Sequence, residues 1–251
     1  YYLNRGCAGT QYYSSSGSSV HNWDKDSSSA SLEACWRPKK TTITLRKQGG
    51  TGGTNSVTAT YGSSMPSITL PTRTGYNFTG YRWSTNPTSN LYYSSNGSSV
   101  HNWDKEAETD TLSAHWQAKT TTITLYKQGG TGGTDSVIAT YDSSMPSITL
   151  PTRTGYNFTG YRYTRDPSSD LYYSSNGSSY RNWTKEDDVN SLFAHWQAKI
   201  ITCPSGTYLS ANLENCTPCK NGSYCVGGNY TFSSSDKGIT TCPSGYDTSA
   251  R

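Results

Sequence analysis

Seven cysteines and four histidines are the residues best able to do chemistry in this chain of 251. Cys203, Cys216, Cys219, Cys225 and Cys242 crowd its end, while Cys7 and Cys35 stand near its start. Cys216 and Cys219 form a Cys-x-x-Cys pair, the spacing of a redox dithiol or of half a zinc site. Zinc needs four ligands, and no histidine lies beyond His195 to join these cysteines. Disulfides in an oxidising compartment are the better reading. Cys203 is expected to pair with Cys216, and Cys219 with either Cys225 or Cys242. The run Cys242-Pro243-Ser244-Gly245 repeats Cys203-Pro204-Ser205-Gly206, so a second unit is expected to begin at Cys242 and to find its partner beyond Arg251.

The elements that must position these residues are copies of one another. Trp36, Trp116 and Trp196 are spaced by 80, as are Tyr13, Tyr93 and Tyr173. Residues 42–119 and 122–199 are identical at roughly three quarters of positions. Tandem copies of this kind build length and multivalent display rather than one active site.

The copies serve as an internal alignment and remove most candidate chemistries. Arg181 stands where His101 and His21 stand, and Cys35 where His115 and His195 stand. Thr184 replaces Asp104, which ends any paired-carboxylate role with Glu106. A metal or catalytic site would not survive such exchange, so no catalytic residue, metal or cofactor is expected. The Gly-rich run Gln48-Gly49-Gly50-Thr51-Gly52-Gly53-Thr54 follows Lys47 and precedes a strand, whereas a phosphate loop needs its Lys after the glycines and then a helix. Leu70-Pro71-Thr72-Arg73-Thr74-Gly75 nearly spells a sortase signal, but it recurs within each unit and reads as a proline-led turn.

Cys7 and Cys35 change together. They occupy the positions of Pro87 and His115 in the next copy, and of Pro167 and His195 in the one after. Two thiols gained in one copy alone point to a disulfide, which for a separation of 28 contributes ~3–4 kcal/mol in the chain-entropy account.

Composition sets the scale of each module. Hydrophobic residues make up 31% of the chain, with 21 Tyr against four Phe, so the cores must be thin and aromatic. The net charge of +4 is spread among both signs, which argues against a nucleic-acid partner. No apolar run approaches the ~20 residues that span a bilayer.

Ile43 and Leu45 alternate with threonines, and Val57 and Ala59 do the same across the Gly-rich connection, which predicts a hairpin. Pro66 and Pro71 bound a short extended segment, and Asn96-Gly97 marks a tight turn. Residues 102–107 are expected to form a helical turn or two. Leu112, Ala114 and Trp116 close the unit as a strand.

The ordered run TITLxKQGGTGGTxSVxATYxSSMPSITLPTRTGYNFTGY, then YYSSNGSS, NWDKE and AHWQ, resembles the internalin-type B-repeat, or Listeria–Bacteroides repeat. The resemblance covers residues 41–119 and 120–199 as full units and residues 1–40 as the second half of one. It implies β-grasp-like modules strung as spacers in bacterial cell-surface proteins, without catalytic residues. The segment 200–251 resembles the cysteine-rich repeats of growth-factor-receptor or EGF-like ectodomains.

The expected class is therefore β-rich α+β: small β-grasp-like modules in a rod, then a disulfide-rich domain. The expected role is extracellular and structural or adhesive, and self-assembly or other protein chains are the possible partners. Tyr92, Tyr93, Asn96, Tyr172, Tyr173 and Asn176 are the candidate surface for cell-surface glycans. The competing reading of the same residues is that the tyrosines fill the core and the Asn-Gly is only a turn.

Overall fold

The computed structural model describes residues 1–186 and 190–243. It divides into two compact units. One comprises Tyr1–Arg73 and Phe78–Trp116, the other Thr74–Asn77 and Gln117–Arg251.

The first unit opens with two short strands, β1 (Tyr2–Asn4) and β2 (Ala8–Gln11), paired antiparallel around a single 3-10 turn at Arg5–Cys7. A five-stranded sheet follows, made of β3 (Lys40–Arg46), β4 (Ser56–Thr60), β5 (Tyr76–Arg82), β6 (Leu91–Tyr93) and β7 (Thr109–Ala118), in the order β4-β3-β7-β5-β6. The Thr/Ile/Leu alternation does its expected work: Thr41, Ile43 and Leu45 point inward along β3, and Val57 and Ala59 along β4, its hairpin partner.

Strands β3 and β7 run parallel, with Ile43 beside Asp110 and Leu45 beside Leu112. A parallel pair needs a long crossover, usually a helix lying over the sheet. Here extended loops cover it instead. Met65 and Trp103 are buried and Ile68 is partly buried against the same core, which also holds Tyr81, Tyr92 and Tyr93.

This overturns the α+β expectation, while its β-rich part holds. No α-helix occurs among the described residues, and the modules are all-β. The expected helical turn at 102–107 is irregular chain instead, for a specific reason. The Trp103 N–H donates to the Ser63 carbonyl at 2.9 Å, and its own carbonyl accepts from Gly62 at 2.7 Å. Its indole Nε1 donates to Thr41 Oγ1 at 2.8 Å in the core. Cross-chain bonds have taken the backbone groups that a helix would need, and burial of one indole drives the exchange.

The second unit repeats the plan with β8 (Thr120–Tyr126), β9 (Ser136–Thr140), β10 (Tyr156–Arg162), β11 (Leu171–Tyr173) and β12 (Ser191–Ala198). Their order is β11-β10-β12-β8-β9, the first sheet's order again. Ile123, Leu125, Tyr161, Tyr172, Tyr173, Trp183 and Leu192 fill its core.

The rest of this unit is a set of short ladders: β13 (Ile200–Cys203), β14 (Thr207–Leu209), β15 (Cys216–Pro218), β16 (Ser223–Tyr224), β17 (Gly228–Thr231) and β18 (Thr240–Thr241). They pair as β13-β17, β14-β15 and β16-β18. Cys203 bonds to Cys216 and Cys219 to Cys225, with Cα separations of 5.5 and 5.8 Å. Buried Cys203, Tyr208, Leu209 and Cys225 form too small a core to stand alone, so these links hold it. Cys242 has a free thiol; Ser244 and Gly245 of its motif lie outside the described residues.

Candidate functional site

The candidate glycan residues separate by depth. Tyr92, Tyr93, Tyr172 and Tyr173 are all fully buried and present no ring face to a ligand. Tyr93 Oη donates to the Pro66 carbonyl at 2.8 Å, and Tyr173 to Pro146 at 2.7 Å. Burial, with the Asp104 carboxylate it bonds, pushes the Tyr92 hydroxyl well above its ordinary pKa. Asn96 and Asn176 lie at the turn tips, where each accepts from Ser94 or Ser174 Oγ at 2.6 Å and from the Ser98 or Ser178 N–H at 3.0 Å. They fasten a turn.

The other candidates are spoken for locally. His115 Nε2 meets the Ser84 carbonyl at 2.8 Å, and His101 lies 3.4 Å from Asp104. No cluster of three His, Cys, Asp or Glu capable of holding a metal occurs among the described residues. The Gly-rich loops present carbonyls rather than an amide cradle: Trp116 Nε1 bonds the Lys47 carbonyl at 2.9 Å and Arg73 the Gln48 carbonyl at 3.1 Å. No helix among the described residues is long and apolar enough to cross a membrane, a statement that does not bear on β-barrels.

Cys7 bonds to Cys35 with a Cα separation of 5.1 Å. The bond ties the turn after β1 to the closing segment of the partial copy, beside the paired Tyr2 and Glu33 backbones at 2.8 and 3.0 Å.

The most organised polar arrangement surrounds Gly75. Within the second unit, Gly75 adopts φ of 77°, and a β-carbon there would run into the Tyr141 ring. Its N–H donates to Glu186 Oε1 at 2.6 Å, and its carbonyl accepts from the Lys119 N–H at 2.9 Å. Lys119 Nζ closes on the same Glu186 oxygen at 2.8 Å. Tyr76 and Tyr141 meet edge to face, ring centroids 5.6 Å apart. Lys119 and then the Gly75 N–H hold the Glu186 carboxyl below its ordinary pKa. A cleft of about 250 Å³ runs beside these groups.

The arrangement occurs a second time with a different carboxylate acceptor and a different ring. Gly155 has φ of 76° and abuts Phe232. Its N–H bonds Glu214 Oε1, its carbonyl takes the Lys199 N–H at 2.8 Å, and Lys199 Nζ meets Glu214 at 2.8 Å. Tyr156 and Phe232 pack at 5.5 Å. Glu214 and Phe232 belong to the cysteine-rich segment, yet they do what Glu186 and Tyr141 do. The constancy of Gly75/Gly155, Lys119/Lys199 and Glu106/Glu186 between copies was the available signal for the first joint. No repeat signal reaches Glu214 or Phe232.

The sequence profile of the Listeria-Bacteroides repeat domain matches residues 42–115 and 121–184, more than half of the chain. No curated protein and no solved structure matches it. The first matched stretch takes in all five strands of the first sheet, and the second covers β8 to β11 and stops before β12; repeats of this type are typically found in extracellular surface proteins. The chain belongs to the Listeria-Bacteroides repeat family.

Proposed function

We propose that this chain is a non-catalytic extracellular spacer whose length is set by the number of its repeats. Modules at 41–119 and 120–199 supply the steps, residues 1–40 are a partial module, and 200–251 is a cysteine-rich module of the EGF-like or receptor kind. The observation that carries this is the lack of linker. Lys119 alone separates β7 from β8, and Lys199 alone separates β12 from β13. Each of these lysines is also fixed by its backbone and by its ammonium group. Flexible tethers use Gly- and Ser-rich runs many residues long, and none lies between β7 and β8 or between β12 and β13.

The test is a series of chains with one, two or three further copies of residues 120–199 inserted after Lys199. X-ray scattering should find the maximum dimension growing by the same step at every insertion. Growth with the square root of copy number, as for a freely jointed chain, would contradict the spacer reading.

A further inference from the structure

The first unit carries the receiving half of the same joint. Lys39 accepts the Tyr61 N–H on its carbonyl at 2.8 Å, as Lys119 accepts that of Tyr141 at 2.9 Å. Lys39 Nζ pairs with Glu106 at 2.8 Å, as Lys119 pairs with Glu186. Lys39, Tyr61 and Glu106 stand 80 positions before Lys119, Tyr141 and Glu186.

What differs is the cover. The Tyr61 residue is 43% exposed, whereas Tyr141 is half-buried against the Gly75 turn. The Glu106 side chain is 66% exposed against 33% for Glu186. The Lys39 N–H, whose counterpart donates to the Gly75 carbonyl, donates to no carbonyl among the described residues.

We infer that the face formed by Lys39, Tyr61 and Glu106 is a docking surface for the Thr-Gly-Tyr turn of a further repeat of this type. The chemistry required of the occupant is narrow. It must bring a carbonyl to the Lys39 N–H and an N–H to the free oxygen of Glu106. Between them it needs a residue at positive φ with no β-carbon, because Tyr61 stands at the position of Tyr141, whose ring lies where a β-carbon on Gly75 would project. A glycine in a tight turn meets all three demands. The chain offers the face three times and accepts a Gly turn at two of them, on Tyr141 and on Phe232, so the aromatic residue is interchangeable and the glycine is not.

The experiment joins a copy of residues 41–80 ahead of Tyr1 in the full chain, which sets a Gly turn 80 positions before Gly75. Hydrogen exchange is then read at Lys39 and Tyr61. Docking should slow the Lys39 amide at least about tenfold, equivalent to ~1.4 kcal/mol of added local stability. Glu106→Gln, or Ala in place of the added turn's glycine, should each return the amide toward its parent rate. Glu106 is exposed, and retained burial of Trp103 reports an intact fold in either variant. Unchanged exchange at Lys39 in the extended chain, whether or not Trp36 becomes buried, would overturn the inference. So would full protection in the alanine variant. This result is independent of the scattering series, which concerns the joints already filled.

Discussion

The partial copy at the start of the chain and the first full repeat carry the same aromatic residues to different fates. Trp103 is wholly buried, while Trp23, its counterpart, is 52% exposed. Trp116 is half-buried against the core, whereas Trp36 is 89% exposed. Tyr93 is buried and Tyr13 is not, although Tyr12 keeps both its burial and its bond to Asp24, as Tyr92 does to Asp104. What separates the two regions is β3 and β4 with the loop that follows them, which supply Ile43, Leu45, Val57 and Met65 around Trp103 and have no copy within residues 1–40. Burial of these indoles is thus a property of the partner strands and not of the NW motif. Residues 1–40 also hold the Cys7–Cys35 disulfide, a covalent link that lowers unfolded-state entropy.

The sharpest break of this comparison is a pair of truncations. Trp103→Ala should cost ~3–5 kcal/mol of its repeat's stability, and Trp23→Ala no more than ~0.5, in urea titrations. Equal losses would mean that the partial copy has a core of its own. Next in size, Cys7→Ser with Cys35→Ser should remove ~3 kcal/mol from the partial copy alone. Amide exchange at Tyr2 and Glu33 would quicken while that at Ile43 and Leu112 stays as it was.

Strand alternation and the hairpin could be read from Ile43, Leu45, Val57 and Ala59, because one face is buried and one is wet. The cysteine pair could be read because two copies lacked it. The helical turn at 102–107 was misread because local polarity hid that Trp103 is pulled across to Thr41. The adjacent Tyr92 and Tyr93 were ambiguous for a related reason. Neighbours in a strand face opposite ways, so both are buried only because loops cover the second face, and Trp103 packs on Tyr92 at 5.2 Å. Glu214 and Phe232 could not be read at all, since their equivalence to Glu186 and Tyr141 is one of position in space.

A finer contrast uses hydroxyls. Tyr93→Phe removes the part-buried bond to the Pro66 carbonyl, a loss of ~1 kcal/mol. Tyr13→Phe, at an exposed ring, should be neutral by the same denaturation assay. Smallest is the effect of acid on the joints. The Glu106, Glu186 and Glu214 carboxyls are each held below their ordinary pKa, chiefly by Lys39, Lys119 and Lys199. A depressed folded-state pKa stabilises above the unfolded value of ~4.3, and that contribution is lost as pH falls through the folded value. Exchange at Gly75 and Gly155, corrected for its intrinsic pH dependence, should therefore be steady from pH 7 to ~5 and quicken below ~4.3. Amides of Ile43 and Ile123 should not follow.

The account rests on one joint being used both between repeats and toward the cysteine-rich segment. Amide exchange at Gly75 and Gly155 in Glu186→Gln and Glu214→Gln chains tests it directly. Each substitution should quicken its own glycine by a similar factor and leave the other unchanged. No change at Gly155 in Glu214→Gln, with a clear change at Gly75 in Glu186→Gln, would contradict it.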